Sequence, residues 1–146
     1  MISYTKNTDA INEGLYDIIQ AEFKPIPVLF QSDMHGPSEF IKIWLQENRW
    51  LSNHSDGETR EYEYLIQHIK TIDKDMDRNT LKLEFTNYAD RMLQLLNNNR
   101  SYGSTVWHRM TVEVIPAWVL DEINEEPVEN IYTNDFMVTI TRSNFW

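Results

Sequence analysis

Along this chain the spacing of apolar residues changes in one order: helical, alternating, alternating again, helical, then alternating once more. Ile11, Leu15, Ile18, Ile19 and Phe23 recur at helical spacing, as do Phe85, Tyr88, Ala89, Met92, Leu95 and Leu96. Between and after these stretches lie runs that read as strands. The order predicts an α+β fold: a single domain over residues 1–146, with a mostly antiparallel sheet packed by two helices and an extended β-hairpin.

Local signals set the expected boundaries. Thr8 or Asp9 is placed to cap the first helix, Gly14 weakens it, and Pro25 and Pro27 end it near Lys24. Val28 to Gln31 reads as a short strand. Phe40 to Gln46 alternates, and Arg60 to Ile69 returns with Tyr62, Tyr64, Ile66 and His68 on one face. Between them, Asn48 to Thr59 is expected to form a protruding loop, with Asp56-Gly57 suited to a tight turn at positive φ.

Asp77 or Asn79 can cap the second helix, and the asparagines of Asn97 to Arg100 can end it in the left-handed conformation. Two strand candidates follow. Thr105 to Val119 places Val106, His108, Met110, Val112, Val114 and Pro116 on one face, with Trp107, Thr111, Glu113 and Ile115 on the other. Pro116 suggests an edge or a bend there. Ile131 to Arg142 turns Tyr132, Asn134, Phe136, Val138 and Ile140 to one side. Asp121 to Glu129 carries five carboxylates and is expected to be solvated.

Composition narrows the function classes. The formal charge of −10, with thirteen Lys and Arg scattered singly, argues against a surface that grips phosphates. Absence of cysteine removes disulfides, thiolate metal sites and cysteine nucleophiles. No apolar stretch approaches the ~20 residues of a membrane span, and Met1 to Asp9 lacks the apolar centre of a secretory signal, so synthesis inside the cell is expected.

Candidate chemistry is sparse. Asp73, Asp75 and Asp77 begin like a calcium loop, but Arg78 stands where the turn glycine belongs. His35, His54, His68 and His108 share no metal-binding spacing, although His68 and His108 could become neighbours across a sheet. Glu61 and Glu63 would share one strand face, which reads as a solvated edge. No catalytic residue, cofactor site or metal site is assigned.

Aromatic residues are more informative. Trp44, Trp50, Tyr62, Tyr64, Trp107, Trp118, Phe145 and Trp146 exceed what one small core easily absorbs, and aromatics anchor protein interfaces. The partner-interface candidates are Arg49, Trp50, Leu51 and Asp56 in the expected loop, with Phe145 and Trp146 near the last strand.

A helix from Asp9 to Phe23 leads to Ile26-Pro-Val-Leu-Phe30, then to a loop with Gly36-Pro37-Ser38 and a strand from Phe40 to Leu45. A hairpin follows over Ser52 to Ile69, with the polar Arg60 ahead of its returning strand. A helix over Leu81 to Asn97 and a late strand over Ile131 to Ile140 complete the order. In this arrangement the chain resembles the tail terminator (tail completion) family of tailed bacteriophages and the related neck proteins. The resemblance implies a structural virion protein, not an enzyme, made in the host cytoplasm and located in the tail or neck. It implies a ring of identical copies, usually six, with the tail tube protein and neck or connector proteins as partners. It further implies genomic DNA passing through the lumen without specific binding, an arrangement that acidic residues around a channel would suit. The family pattern supplies no role for Asp121 to Glu129. Alternatives are another head–tail connector, a stopper or adaptor, and a small metal-dependent hydrolase built on His68, His108 and nearby carboxylates.

Overall fold

A computed structural model describes residues 5–30, 37–71, 77–103, 105–115 and 131–146. In order these form α1 (Asn7–Phe23), β1 (Val28–Phe30), β2 (Glu39–His54), β3 (Gly57–Thr71), α2 (Arg78–Asn98), β4 (Arg109–Ile115) and β5 (Ile131–Phe145). The expectations for His35, Asp73, Asp75, Pro116, Trp118 and residues 121–129 lie outside the described residues.

The sheet has five strands in the order β1-β2-β3-β5-β4. Only β1 and β2 run parallel; the other neighbours are antiparallel. Residues paired across strands share a face, so the register sorts the sheet into two sides. Ile41, Ile43, Tyr62, Tyr64, Ile66, Met110, Phe136, Val138 and Ile140 are buried together with Ile11, Leu15, Ile19 and Phe23 of α1 and Ala89, Met92 and Leu96 of α2. Both helices therefore cover one side, the inner face. The outer face carries Glu61, Glu63, Gln67, Asp135, Thr139 and Thr141.

Helix α1 buries its apolar residues because they recur four apart, at Ile11, Leu15, Ile19 and Phe23. It starts earlier than expected, at Asn7, and neither Thr8 nor Asp9 caps it; the N-cap position is Lys6, without a side-chain hydrogen bond. Gly14 has a steric role, since a Cβ there would stand 2.8 Å from the Trp107 ring. Helix α2 follows its expected cap: Asp77 accepts from the Asn79 amide at 3.2 Å and from the Thr80 hydroxyl at 2.8 Å. Its far end departs from expectation. Asn99 closes the helix at φ −117°, outside the left-handed region, while the side chains of Asn97 and Asn99 donate to the carbonyls of Leu93 and Leu95.

The expected loop at 48–59 is instead continuous strand. β2 runs to His54 and β3 begins at Gly57, leaving a two-residue turn at Ser55 and Asp56. Its apolar alternation fails because both faces of this projecting segment meet solvent or polar partners, and pairs such as Arg49 with Glu61 and Asn53 with Glu58 replace apolar contact. β5 reaches further than Arg142, pairing Ser143, Asn144 and Phe145 with Thr59, Glu58 and Gly57. The result is a three-stranded tongue.

Gly57 is required there by proximity, not by a positive φ. A Cβ on it would lie 1.8 Å from the Asn144 carbonyl oxygen and 2.8 Å from the His54 ring. The strand expected from Thr105 starts at Arg109. Before it, Tyr102 and Trp107 exchange backbone hydrogen bonds at 3.0 and 3.3 Å around Gly103, whose φ is +56°. That turn rotates Trp107 into the core, where its Nε1 donates to the Asn99 carbonyl, and leaves His108 exposed.

Two buried polar groups fasten the inner face. Arg142 donates to Asn144, to the carbonyls of Thr105 and Val106, and to Asn7, while Asn144 donates to the Tyr62 hydroxyl. His68 stacks on Phe85 at 4.8 Å, meets Tyr88 edge-on at 4.9 Å, and pairs through Nε2 with Glu39 at 2.9 Å. Burial pushes the His68 pKa down, against the opposing pull of Glu39; Lys70 and Glu84 are the other charged neighbours.

Two measurements check this account. In the unfolded chain His68 takes up a proton at about pH 6.5, whereas burial makes the folded chain resist protonation, so the unfolded state binds more protons below that pH. Urea-unfolding free energy should fall as pH drops from about 6.5 toward the depressed folded value, and His68→Gln should flatten that slope; an unchanged slope would assign it elsewhere. Gly57→Ala should cost about 1–3 kcal/mol or more by overpacking, against less than about 0.5 kcal/mol for Ser55→Ala in the adjacent turn.

Candidate partner interface

The expected interface residues fall into two groups. At the tip of the tongue, the backbone amide of Trp146 donates to the Asp56 carbonyl at 3.0 Å, and the Phe145 ring lies 5.1 Å from that of His54. Those rings meet because His54 and Phe145 both pair with Gly57, which has no side chain to separate them. The Asp56 carboxylate sits 3.1 Å from His54 Nδ1. Phe145 is 55% exposed and Trp146 78%, so the tip offers two aromatic rings to solvent.

Arg49, Trp50 and Leu51 lie farther back along β2. Arg49 faces outward and holds Glu47 at 2.7 Å, Glu61 at 2.5 Å and Glu63 at 3.3 Å. The hydrogen bond to Glu61 raises the Arg49 pKa most, so the guanidinium stays charged throughout the accessible pH range. Three carboxylates around one guanidinium leave a net negative cluster. Trp50 pairs with Arg60 on the inner side and donates its Nε1 to Asn53 at 2.9 Å, yet remains 54% exposed. Leu51 stands at a register shift between Trp50 and Ser52 and lines an outer cleft with Glu61, His108, Arg109 and Thr141.

Some exposed apolar side chains escape sequence reasoning. Phe30, Trp44 and Leu83 are also exposed. Trp44 sits on the outer face, where the Lys42 ammonium lies 4.3 Å from its ring centroid. Its alternation with Ile43 and Leu45 shows that it faces away from them but not that the opposite face lacks a helix, so its exposure is not readable from the sequence.

The structure also separates candidates that could have worked together. Trp107, Tyr62 and Tyr64 are core. His68 is buried level with Asn134, whereas exposed His108 donates its amide to Thr141, seven residues along β5 and roughly 23 Å away. A site uniting the two histidines is thereby ruled out in this fold. Glu61 and Glu63 are engaged by Arg49. Among the described residues, no group of three or more His, Asp or Glu could hold a metal, and no helix is long and apolar enough to cross a membrane. A cleft of about 500 Å³ beside the start of α1 is lined by Lys6, Asp9, Glu58, Arg60, Tyr62 and Asn144, with Arg60 already bonded to Glu58.

The whole fold aligns with the sheath/tube terminator of an extracellular contractile injection system, PVC, in its extended state, at a TM-score of 0.55 and 14% identity. The likeness is one of fold. It covers 99% of this chain but 58% of the terminator, so this chain spans under two thirds of its neighbour's length. A second solved chain aligns over 97% of this chain and 99% of its own, at 10% identity and a TM-score of 0.46, too low to support an argument. No family model and no curated protein matches the sequence.

The exposure pattern predicts how tryptophan fluorescence responds to acrylamide. Trp146→Phe and Trp50→Phe should each remove a strongly quenched component, whereas Trp107→Phe should remove a protected one. A protected Trp146 in the isolated protein would contradict the exposed tip.

Proposed function

We propose that this chain is a terminator-type structural subunit: a ring of identical copies that closes the end of a tube-like polymer and presents a docking surface to the next component. The observation that carries the reading is the fold-level alignment, over 99% of the chain, with a protein described as a sheath/tube terminator. Catalysis is not needed for such a role. The binding surfaces are the aromatic tip at Phe145, Trp146 and Asp56, and the β2 flank at Arg49, Trp50 and Leu51.

Physical features favour this reading. Docking withdraws the apolar surface of exposed aromatic side chains from water at little cost in side-chain freedom, which makes them efficient anchors. A cyclic assembly repeats one heterologous contact and so needs two different patches on each subunit. The β2 flank offers one such patch, and the aromatic tip is left to meet the next component. The charge of −10 suits a channel through which a polyanion slides without adhering. A phage tail or an injection apparatus would serve equally as the setting, with the tube subunit and the neck or connector as neighbours.

The test is native mass measurement and negative-stain imaging of the protein alone and mixed with tube subunits. Rings at tube ends, and shorter tubes as the protein is added, are the expected result; tubes of unchanged length with no bound protein would overturn the reading. Phe145→Ala combined with Trp146→Ala should weaken capping roughly ten-fold or more, the loss typical of interface anchors, while the unfolding midpoint of the free protein moves by only a few degrees. Equal loss of both would show that the tip serves folding and not docking.

A further inference from the structure

The sheet ends in two unlike edges. On one side β1 covers β2 only from Ile41 to Ile43, with Val28, Leu29 and Phe30 opposite Ile41, Lys42 and Ile43; beyond that, no described strand lies beside residues 44–54 of β2 on this edge. On the other side β5 is the one described strand beside β4. Unpaired strand edges present rows of free N–H and C=O groups and template further strands.

The β2 edge is also where exposed apolar surface gathers. Among the described residues, seven large apolar side chains are exposed, and four of them, Phe30, Trp44, Trp50 and Leu51, lie on β1 and β2. Register shifts between Leu45 and Glu47 and between Trp50 and Ser52 bound a short regular stretch, Glu47 to Trp50. Such irregularities limit edge pairing elsewhere along the strand.

We infer that copies of this chain join edge to edge, the open stretch 47–50 of β2 receiving residues 108–111 from the start of β4 of the next copy. This rests on the proposed ring and names its interface. Strand sense agrees. β2 and β5 run one way and β3 and β4 the other, so a neighbour related by rotation that keeps its sheet upright sets β4 antiparallel to β2, the more favourable pairing.

Level and face agree as well. Following the pairs across one sheet, Arg109 stands level with Thr141, Glu61 and Arg49, and Thr111 with Thr139, Glu63 and Glu47. All of these point outward. Arg109 is exposed and forms no ion pair with a described residue. In the joined arrangement it meets the negative cluster of Glu47, Glu61 and Glu63 on the neighbour, completing a charge balance that Arg49 alone leaves short. The contact is heterologous, β2 to β4, as ring closure demands.

Because the chain has no cysteine, engineered thiols give a clean test. Within one copy Glu47 and Thr111 are three strand spacings apart, about 14 Å, too far for a disulfide, which needs Cα atoms within about 7 Å. Assembled protein carrying Glu47→Cys and Thr111→Cys should form, on mild oxidation, a ladder of covalent oligomers up to the full ring, while an equal mixture of the two single variants should stop at dimers. Glu47→Cys paired with Arg109→Cys or with Glu113→Cys covers a two-residue change of register. Rings that assemble yet show no ladder with any of the three pairs would overturn the edge contact and leave the ring intact. Efficient dimers from Glu47→Cys alone would also overturn it, by showing β2 against β2. If no oligomer forms, with or without tube subunits, the ring and its interface fall together. Thermal melts of each reduced variant within a few degrees of the parent exclude unfolding as the cause of a negative result.

Discussion

Fifteen consecutive residue pairs, from Gly57 opposite Phe145 to Thr71 opposite Ile131, join β3 to β5 without a break in register. Everything else is referred to this ladder. A slip of one residue would turn either Tyr62, Tyr64 and Ile66 or Phe136, Val138 and Ile140 away from the helices, and bring Glu61 and Glu63 or Asp135 inward in their place. Burial of those apolar side chains is therefore also what selects the register. The same register brings Asn144 to the Tyr62 hydroxyl and stands Asn134 beside α2, where it donates to the Phe85 carbonyl at 3.0 Å.

Much of this is legible in the residues because each inner position is apolar in a repeating pattern. Ile11, Leu15 and Ile19 announce a helix, and Phe136, Val138 and Ile140 announce a strand with one buried face. The tongue is not legible for the converse reason: Asn48, Asn53, Glu58 and Arg60 are polar on a strand with no core beneath it, so alternation carries no signal. Trp107 escapes the strand pattern because it stands just ahead of β4, where the Gly103 turn changes its facing. Gly57 is marked by its type but for another reason, since the close approach of Asn144 comes from a strand far later in the chain.

The candidate interface residues divide along the same line. Phe145 and Trp146 are apolar side chains just beyond the buried part of β5, a pattern visible in the sequence. The edges of the sheet are a matter of topology. The one local hint is Pro116, read from the sequence as an edge or a bend; alternation itself is the same in β4 and β5, and their places are settled only when β5 inserts between β3 and β4.

That insertion orders the events of synthesis. β4 leaves the ribosome before β5, its partner among the described strands, and β3 waits for its second neighbour until residues 131–146 have been made. Until then the nascent chain holds a β2–β3 hairpin whose inner face lacks the rest of its sheet, and contacts between distant residues form late. The sheet is completed only when residues 131–146 arrive, and a chain cut short before them leaves β3 and β4 without the strand that joins them.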